Sequence, residues 1–123
     1  MLMKGGGIII NISSLATSRI IPGAIPYTVS KSALDALTRS LAVAYGRSGI
    51  DVIGVNIGSI PGHLERIDLR GYSGGRRSHP ISKPGTRTLE KYAEHIKIIA
   101  SQKSGLLNGQ NIILDQFAID QYN

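Results

Sequence analysis

The chain has no cysteine and no tryptophan among its 123 residues. The missing thiols exclude disulfides and thiolate-held metals, and they leave the redox compartment unspecified. Histidine is scarce as well. His63, His79 and His95 are scattered without metal-ligand spacing, which fits surface or loop positions and predicts no metal centre. Aromatic residues make up 5% of the chain and charged residues 18%, the latter below the usual quarter. No stretch approaches the roughly 20 apolar residues of a membrane span. The short apolar run after Lys4 is interrupted at Asn11, so it does not read as a signal peptide. These absences predict a soluble, cytoplasmic protein without membrane contact.

What is present bounds the chain to one domain at most, with enough apolar content, 41%, for a core. The net charge is +6. Much of it sits between Arg66 and Arg87, with Arg70, Arg76, Arg77 and Lys83 between. Such a stretch reads either as a patch for nucleic acid or an anionic substrate, or as a solvated loop. Only Tyr72 offers stacking there and no nucleic-acid motif frames it, so no nucleic-acid partner is expected.

Ile8 to Ser13 carries four β-branched isoleucines interrupted at Asn11, as suits a parallel strand buried on both faces. Leu15 to Pro26 is a loop rich in Ser, Thr, Gly and Pro. Tyr27 to Arg47 reads as one long helix, with Pro26 at its start and Gly46 to Gly49 at its end. Val29, Ala33, Ala36 or Leu37, Ser40 and Ala44 form one row on it, and Leu34, Leu37, Leu41 and Tyr45 an adjacent row. Asp35 and Arg39 are spaced to pair on its outer side. Val52 to Ile57 is a second buried strand, opened by Gly49-Ile50-Asp51. Residues 59–85 are irregular, and a loop that long inside a domain is commonly a functional lid or disordered. Thr86 to Ser101 is a helix capped by Thr88, with Leu89, Ala93, Ile96, Ile99 and Ala100 as its apolar face. Asn111 to Leu114 is the last strand. Strand–helix–strand–helix–strand predicts a parallel α/β sheet with right-handed crossovers.

The most informative feature is Tyr27-Thr-Val-Ser-Lys31, with Ser14 thirteen residues before the tyrosine. Residues four apart lie one above the other on a helix. A phenol beside an ammonium ionises more readily, because the cation favours the phenolate. Such a phenol can exchange a proton with a substrate oxygen near neutral pH. A serine hydroxyl from the preceding segment can hydrogen-bond the same oxygen. The pentapeptide alone also reads as a packed tyrosine with a solvated lysine one turn later. Its surroundings carry the argument.

Gly5-Gly-Gly-Ile-Ile-Ile-Asn-Ile-Ser-Ser14, the helix after Tyr27 and the strand opened by Gly49-Ile50-Asp51-Val52 stand in an order and spacing that resemble the short-chain dehydrogenase/reductase family. Thr38-Arg-Ser-Leu-Ala42 resembles that family's helix. His79-Pro80, Pro84-Gly85-Thr86, Glu90, Ala93, Glu94 and Ala100-Ser101 resemble its last helix and lead-in. Asn108-Gly109-Gln110 with Ile112-Ile-Leu-Asp115 resembles its last strand. The resemblance implies hydride transfer between NAD or NADP and a carbonyl or alcohol carbon. It makes Tyr27 the general acid/base, Lys31 the residue that tunes Tyr27 and holds the nicotinamide ribose, and Ser14 the donor to the reacting oxygen. Ser14 and Tyr27 would then touch substrate.

The resemblance implies the C-terminal half of a doubly wound, Rossmann-type fold. It covers one partial domain, 1–123, with a substrate-covering segment at 59–85. The family's Gly-rich phosphate turn has no counterpart, since Gly5-Gly-Gly7 precedes a strand and does not join a strand to a helix. The family's catalytic asparagine has none either. In the second strand a gapless alignment sets Ile53 at the family's asparagine and Ile57 at its proline. It keeps Gly58 and Ile60 as the cofactor-side backbone. Sliding Asn56 and Pro61-Gly62 into the motif requires an insertion. The terminal Asp-Gly-Gly is altered to Asp115-Gln116-Phe117. Three functions compete. They are an oxidoreductase, a non-catalytic remnant or half that only associates with a complementary N-terminal half or as a homo-oligomer, and a basic binding module. The implied substrate is a small carbonyl or alcohol. An open apolar edge at Ile8 to Ile12 would favour association.

Overall fold

The computed structural model describes residues 1–19, 23–58, 89–102 and 105–115. Three strands, β1 (Gly7–Ser14), β2 (Ile50–Ile57) and β3 (Asn111–Leu114), form one parallel sheet in the order β1-β2-β3. Helix α1 (Ile25–Tyr45) connects β1 to β2, and helix α2 (Leu89–Ser101) precedes β3. This is the three-strand, Rossmann-type parallel arrangement expected from the sequence.

Both strand starts depend on glycine. Gly6 has φ +124, and a Cβ there would collide with the Gly49 carbonyl. Gly49 itself turns left-handed, φ 74, after the short 3-10 turn Gly46–Ser48 that ends α1. The close crossing lets the Gly7 N–H donate to the Gly49 carbonyl at 3.0 Å. It fixes the register in which Gly7 faces Ile50 and Ser14 faces Ile57. Gly5-Gly-Gly7 is therefore a strand-opening device.

The alternation of side chains divides the sheet into two chemically different faces. On the α1 face Ala42, Ile50 and Val52 form a small apolar cluster with Ile9 and Leu41. Beyond it, toward the strand ends, the face turns polar with Asn11, Ser13, Gly54 and Asn56. On the α2 face Ile53, Val55 and Ile99 pack with Ile8, Ile10, Ile57, Ile96, Leu107, Ile112 and Leu114. Asn108 ties the faces together. Its Oδ1 accepts the Val52 N–H at 2.8 Å, and its Nδ2 donates to the Ala42 carbonyl at 3.4 Å.

Several expectations are corrected. β1 is an edge strand, so its isoleucines are half-buried rather than covered on both sides, and Ile12 is exposed. On α1 the row Val29, Ala33, Ala36 or Leu37, Ser40 and Ala44 faces outward. The adjacent row half-buries Leu34 and Leu41 but exposes Leu37 and Tyr45, and the residues fully buried on α1 are Asp35, Thr38 and Ala42. Asp35 thus points into the protein and does not pair with Arg39 outside. On α2 the inward stripe is Tyr92, Ile96 and Ile99, while Leu89, Ala93 and Ala100 are exposed. The cap Thr88, the loop 59–85, the basic stretch 66–87, His63 and His79 lie outside the described residues.

Candidate active site

Parallel strands place all their carboxyl ends on one edge, and ligands of open α/β sheets bind in the crevice outside that edge. Ser14 ends β1, and Gly58 follows β2 directly beside it, given the Ser14–Ile57 register. Tyr27 lies in the first turn of α1, directly after Pro26. Proline suits that position because the N–H it lacks has no intrahelical partner there.

Lys31 binds the start of α1 to the end of β1. Its Nζ donates to the Ile12 carbonyl at 2.9 Å, and the Ser13 hydroxyl donates to the Lys31 carbonyl at 3.3 Å. The same Nζ stands 5.9 Å from the centroid of the Tyr27 ring, within cation–π range. Tyr27 and Lys31 are both half-buried. The Tyr27 hydroxyl has no hydrogen-bond partner among the described residues. Ser14 is buried, and its Oγ accepts the Ala16 N–H at 3.1 Å, capping the 3-10 turn Leu15–Thr17. That bond uses a lone pair and leaves the Ser14 O–H to donate. Two turns along α1 from Lys31, the Asn11 carboxamide donates to the Thr38 hydroxyl at 3.0 Å, and Thr38 donates to the Leu34 carbonyl at 2.9 Å.

Gly58 donates its N–H to the Leu114 carbonyl at 3.2 Å, and a Cβ at Gly58 would meet the Asp115 carboxylate at 2.6 Å. Gly58 is thus required for a close approach. Asp115 is in turn paired with Arg19 at 3.7 Å, so the loop after Ser14 is tied to the end of β3. Ile60 lies outside the described residues. Among the described residues no cluster of His, Cys, Asp or Glu could hold a metal, and no helix is long and apolar enough to cross a membrane.

The sequence reading missed a polar hub behind Ser14. Asn56 Nδ2 donates to Thr17 Oγ1 at 2.9 Å and to Asp35 Oδ2 at 3.0 Å, with the Ser14 carbonyl at 3.4 Å. Thr17 Oγ1 donates to the same Ser14 carbonyl at 3.1 Å. Two signals pointed to the hub. Tyr27, Lys31 and Asp35 follow each other at four-residue spacing, which puts all three on one helix stripe. Asn56 is a polar residue in an otherwise apolar strand, and a buried amide needs partners.

Known proteins resemble this chain in sequence and in fold. The family model described as Enoyl-(Acyl carrier protein) reductase matches residues 1–116. The 2-(R)-hydroxypropyl-CoM dehydrogenase of Xanthobacter autotrophicus is 32% identical over 120 residues, covering 94% of this chain and 46% of that protein. Among solved structures, acetoin dehydrogenase from Enterobacter cloacae superposes with a TM-score of 0.72 at 28% identity, covering 94% of this chain and 45% of the other. A short-chain dehydrogenase/reductase from Serratia marcescens does so with a TM-score of 0.62 at 28% identity, covering 90% and 43%. The chain spans about half the length of the relatives it matches.

Proposed function

Because the chain belongs to the short-chain dehydrogenase/reductase family, we propose that it carries the proton-handling side of an NAD(P)-dependent carbonyl/alcohol oxidoreductase. Tyr27 is the general acid/base, Ser14 the donor to the reacting oxygen, and Lys31 the residue that sits against Tyr27 and holds the nicotinamide ribose. The observation that carries this reading is the seat of Lys31 between the Ile12 carbonyl and the Tyr27 ring. It joins the tyrosine's helix to the serine's strand at the ligand-binding edge.

The donors at that edge fit a nicotinamide riboside. An ammonium has three N–H donors, and the Ile12 carbonyl takes one of those on Lys31, which leaves two for ribose hydroxyls. The backbone at Gly58 would contact the ring, a role the family resemblance also gives to Ile60. The nicotinamide, when bound, supplies or accepts the hydride. The residues of this chain do the rest. In the reducing direction Ser14 donates a hydrogen bond to the carbonyl oxygen and builds positive potential where negative charge develops. Tyr27 delivers its phenolic proton to the same oxygen as the carbon receives hydride, and an alcohol results. In the oxidising direction the Tyr27 phenolate takes that proton back.

A small secondary alcohol or ketone is the substrate class we propose, by analogy with two of the similar proteins. The outward row of α1, with Ile25, Val29, Leu37 and Val43 all exposed, is the surface we assign to association with a second copy or with a complementary half.

The test is reduction of acetoin and diacetyl with NADH and with NADPH, followed by loss of nicotinamide absorbance. It is run on the chain alone and on the chain joined to the unmatched portion of the acetoin dehydrogenase. Tyr27→Phe should lower the rate roughly a hundredfold to ten-thousandfold, the usual contribution of a positioned acid/base group. Undiminished reduction by the phenylalanine variant would overturn the assignment.

A further inference from the structure

We infer that Asn56, gripped by Asp35, is a positioning residue for the Ser14 hydroxyl. The inference rests on the reading of Ser14 as donor to the reacting oxygen. A carboxamide has two N–H hydrogens. The two shortest contacts of Asn56 Nδ2 are Thr17 Oγ1 at 2.9 Å and Asp35 Oδ2 at 3.0 Å. A flipped amide would set its oxygen against the carboxylate, so Asp35 fixes which way Asn56 points. Thr17 has its own proton committed to the Ser14 carbonyl, so it can only accept from Asn56. The bonds therefore run in one direction, from Asn56 to Thr17 to the Ser14 backbone. The Ala16 N–H returns to Ser14 Oγ, which occupies a lone pair and leaves the Ser14 O–H to donate.

The arrangement is costly as packing. Asp35 is 8% exposed, and Asp35 Oδ1 and Asn56 Oδ1 are both buried without a hydrogen-bond partner. Among the described residues Asp35 has no ion pair. Burying a carboxylate with one of its oxygens unsatisfied costs stability that a leucine at the same place would not. Such breaches of the usual pattern belong to sites where geometry matters more than stability. Asp35 also lies two turns along the same stripe as Tyr27 and Lys31. One helix face thus sets the tyrosine directly and the serine at second hand, through Asn56.

The experiment is amide hydrogen exchange, followed by NMR on the 123-residue chain, with Asp35→Leu, Asp35→Asn and Thr17→Val. Asp35→Leu removes the grip on Asn56. Thr17→Val breaks the next bond at the loop and carries the test should the leucine variant fail to fold. Each should speed exchange at the Ala16 amide roughly tenfold to a hundredfold, the equivalent of a hydrogen bond with a charged or buried partner. Exchange at Val52 and Val55 should stay at parental rates. Asp35→Asn keeps an acceptor oxygen and should restore slow exchange at Ala16. Unchanged exchange at Ala16, or a rise shared equally by Val52 and Val55, would overturn the inference. In the carbonyl assay Asp35→Leu should lower kcat about tenfold with the KM for nicotinamide unchanged, and a parental kcat alongside faster Ala16 exchange would also overturn it. If the parent reduces no carbonyl, the proposed function fails while the exchange data still decide whether Asn56 orders the turn.

Discussion

The two faces of the sheet are built from the same three strands, yet they differ in nearly every side chain. Under α2 the strands present Ile8, Ile10, Ile53, Val55, Ile57, Ile112 and Leu114, an unbroken apolar surface. Under α1 the apolar cluster gives way toward the carboxyl edge to Asn11, Gly54 and Asn56, met by Thr38 and Asp35 from the helix. Dispersion and water exclusion hold the first face, and they are indifferent to direction. Directed hydrogen bonds hold the second, and they fix angles as well as distances. The second face is also the one that carries Tyr27 and Lys31. One face supplies stability, and the other converts that stability into placement of Tyr27 and Lys31.

This division is open to attack from either side. The largest effect is expected at Ile53, fully buried at the centre of the α2 face. Ile53→Ala should cost about 2–5 kcal/mol of unfolding free energy, read by urea denaturation, with the rate per folded molecule unchanged. A smaller cost is expected at Gly54, where an added Cβ collides with the Asn111 carboxamide. Gly54→Ala should lose about 1–3 kcal/mol by overpacking. Combining it with Asn111→Ala should recover most of that loss, and a strictly additive double mutant would show that the collision is not the cause. The smallest effect belongs to the Asn11–Thr38 bond. Thr38→Val keeps the shape and strands the Asn11 N–H, for about 1 kcal/mol, so Asn11→Ala in the same background should add little. A cost at Thr38 as large as that at Ile53 would erase the distinction between the faces.

Much of this was legible in the sequence because it rests on period and spacing. The isoleucine run, the glycines before each strand and Pro26 marked β1, α1 and β2 to within a few residues of their bounds. Ser14, Tyr27 and Lys31 stood out for the same reason. What escaped was the direction in which polar residues point. Asp35 with Arg39 four residues on looks like a surface pair, because charge near a helix partner favours the outside as a rule. The structure turns Asp35 inward because Asn56 offers it a donor across the helix–strand interface, twenty-one positions away in the chain, where local spacing gives no warning. The stripe of α2 was misplaced for a related reason. Of the expected face Leu89, Ala93, Ile96, Ile99 and Ala100, only Ile96 and Ile99 pack with Ile53 and Val55, and Tyr92 is the further residue that turns inward. The half-burial of β1 has a different origin. A run of isoleucines signals a buried strand, but in this sheet β1 has a strand on one side only.

If the α1 face places chemistry and does not merely hold the chain together, a change at Lys31 must cost more in rate than in stability. Lys31→Met tests it most directly, with unfolding free energy and carbonyl reduction measured on the same preparation. The substitution keeps the apolar stem and removes the donor to the Ile12 carbonyl. Stability should fall by about 0.5–1.5 kcal/mol and the rate by roughly a hundredfold to a thousandfold, the scale for removing one positioned donor. Reduction at the parental rate, or a loss no greater than the fall in folded fraction, would contradict that expectation.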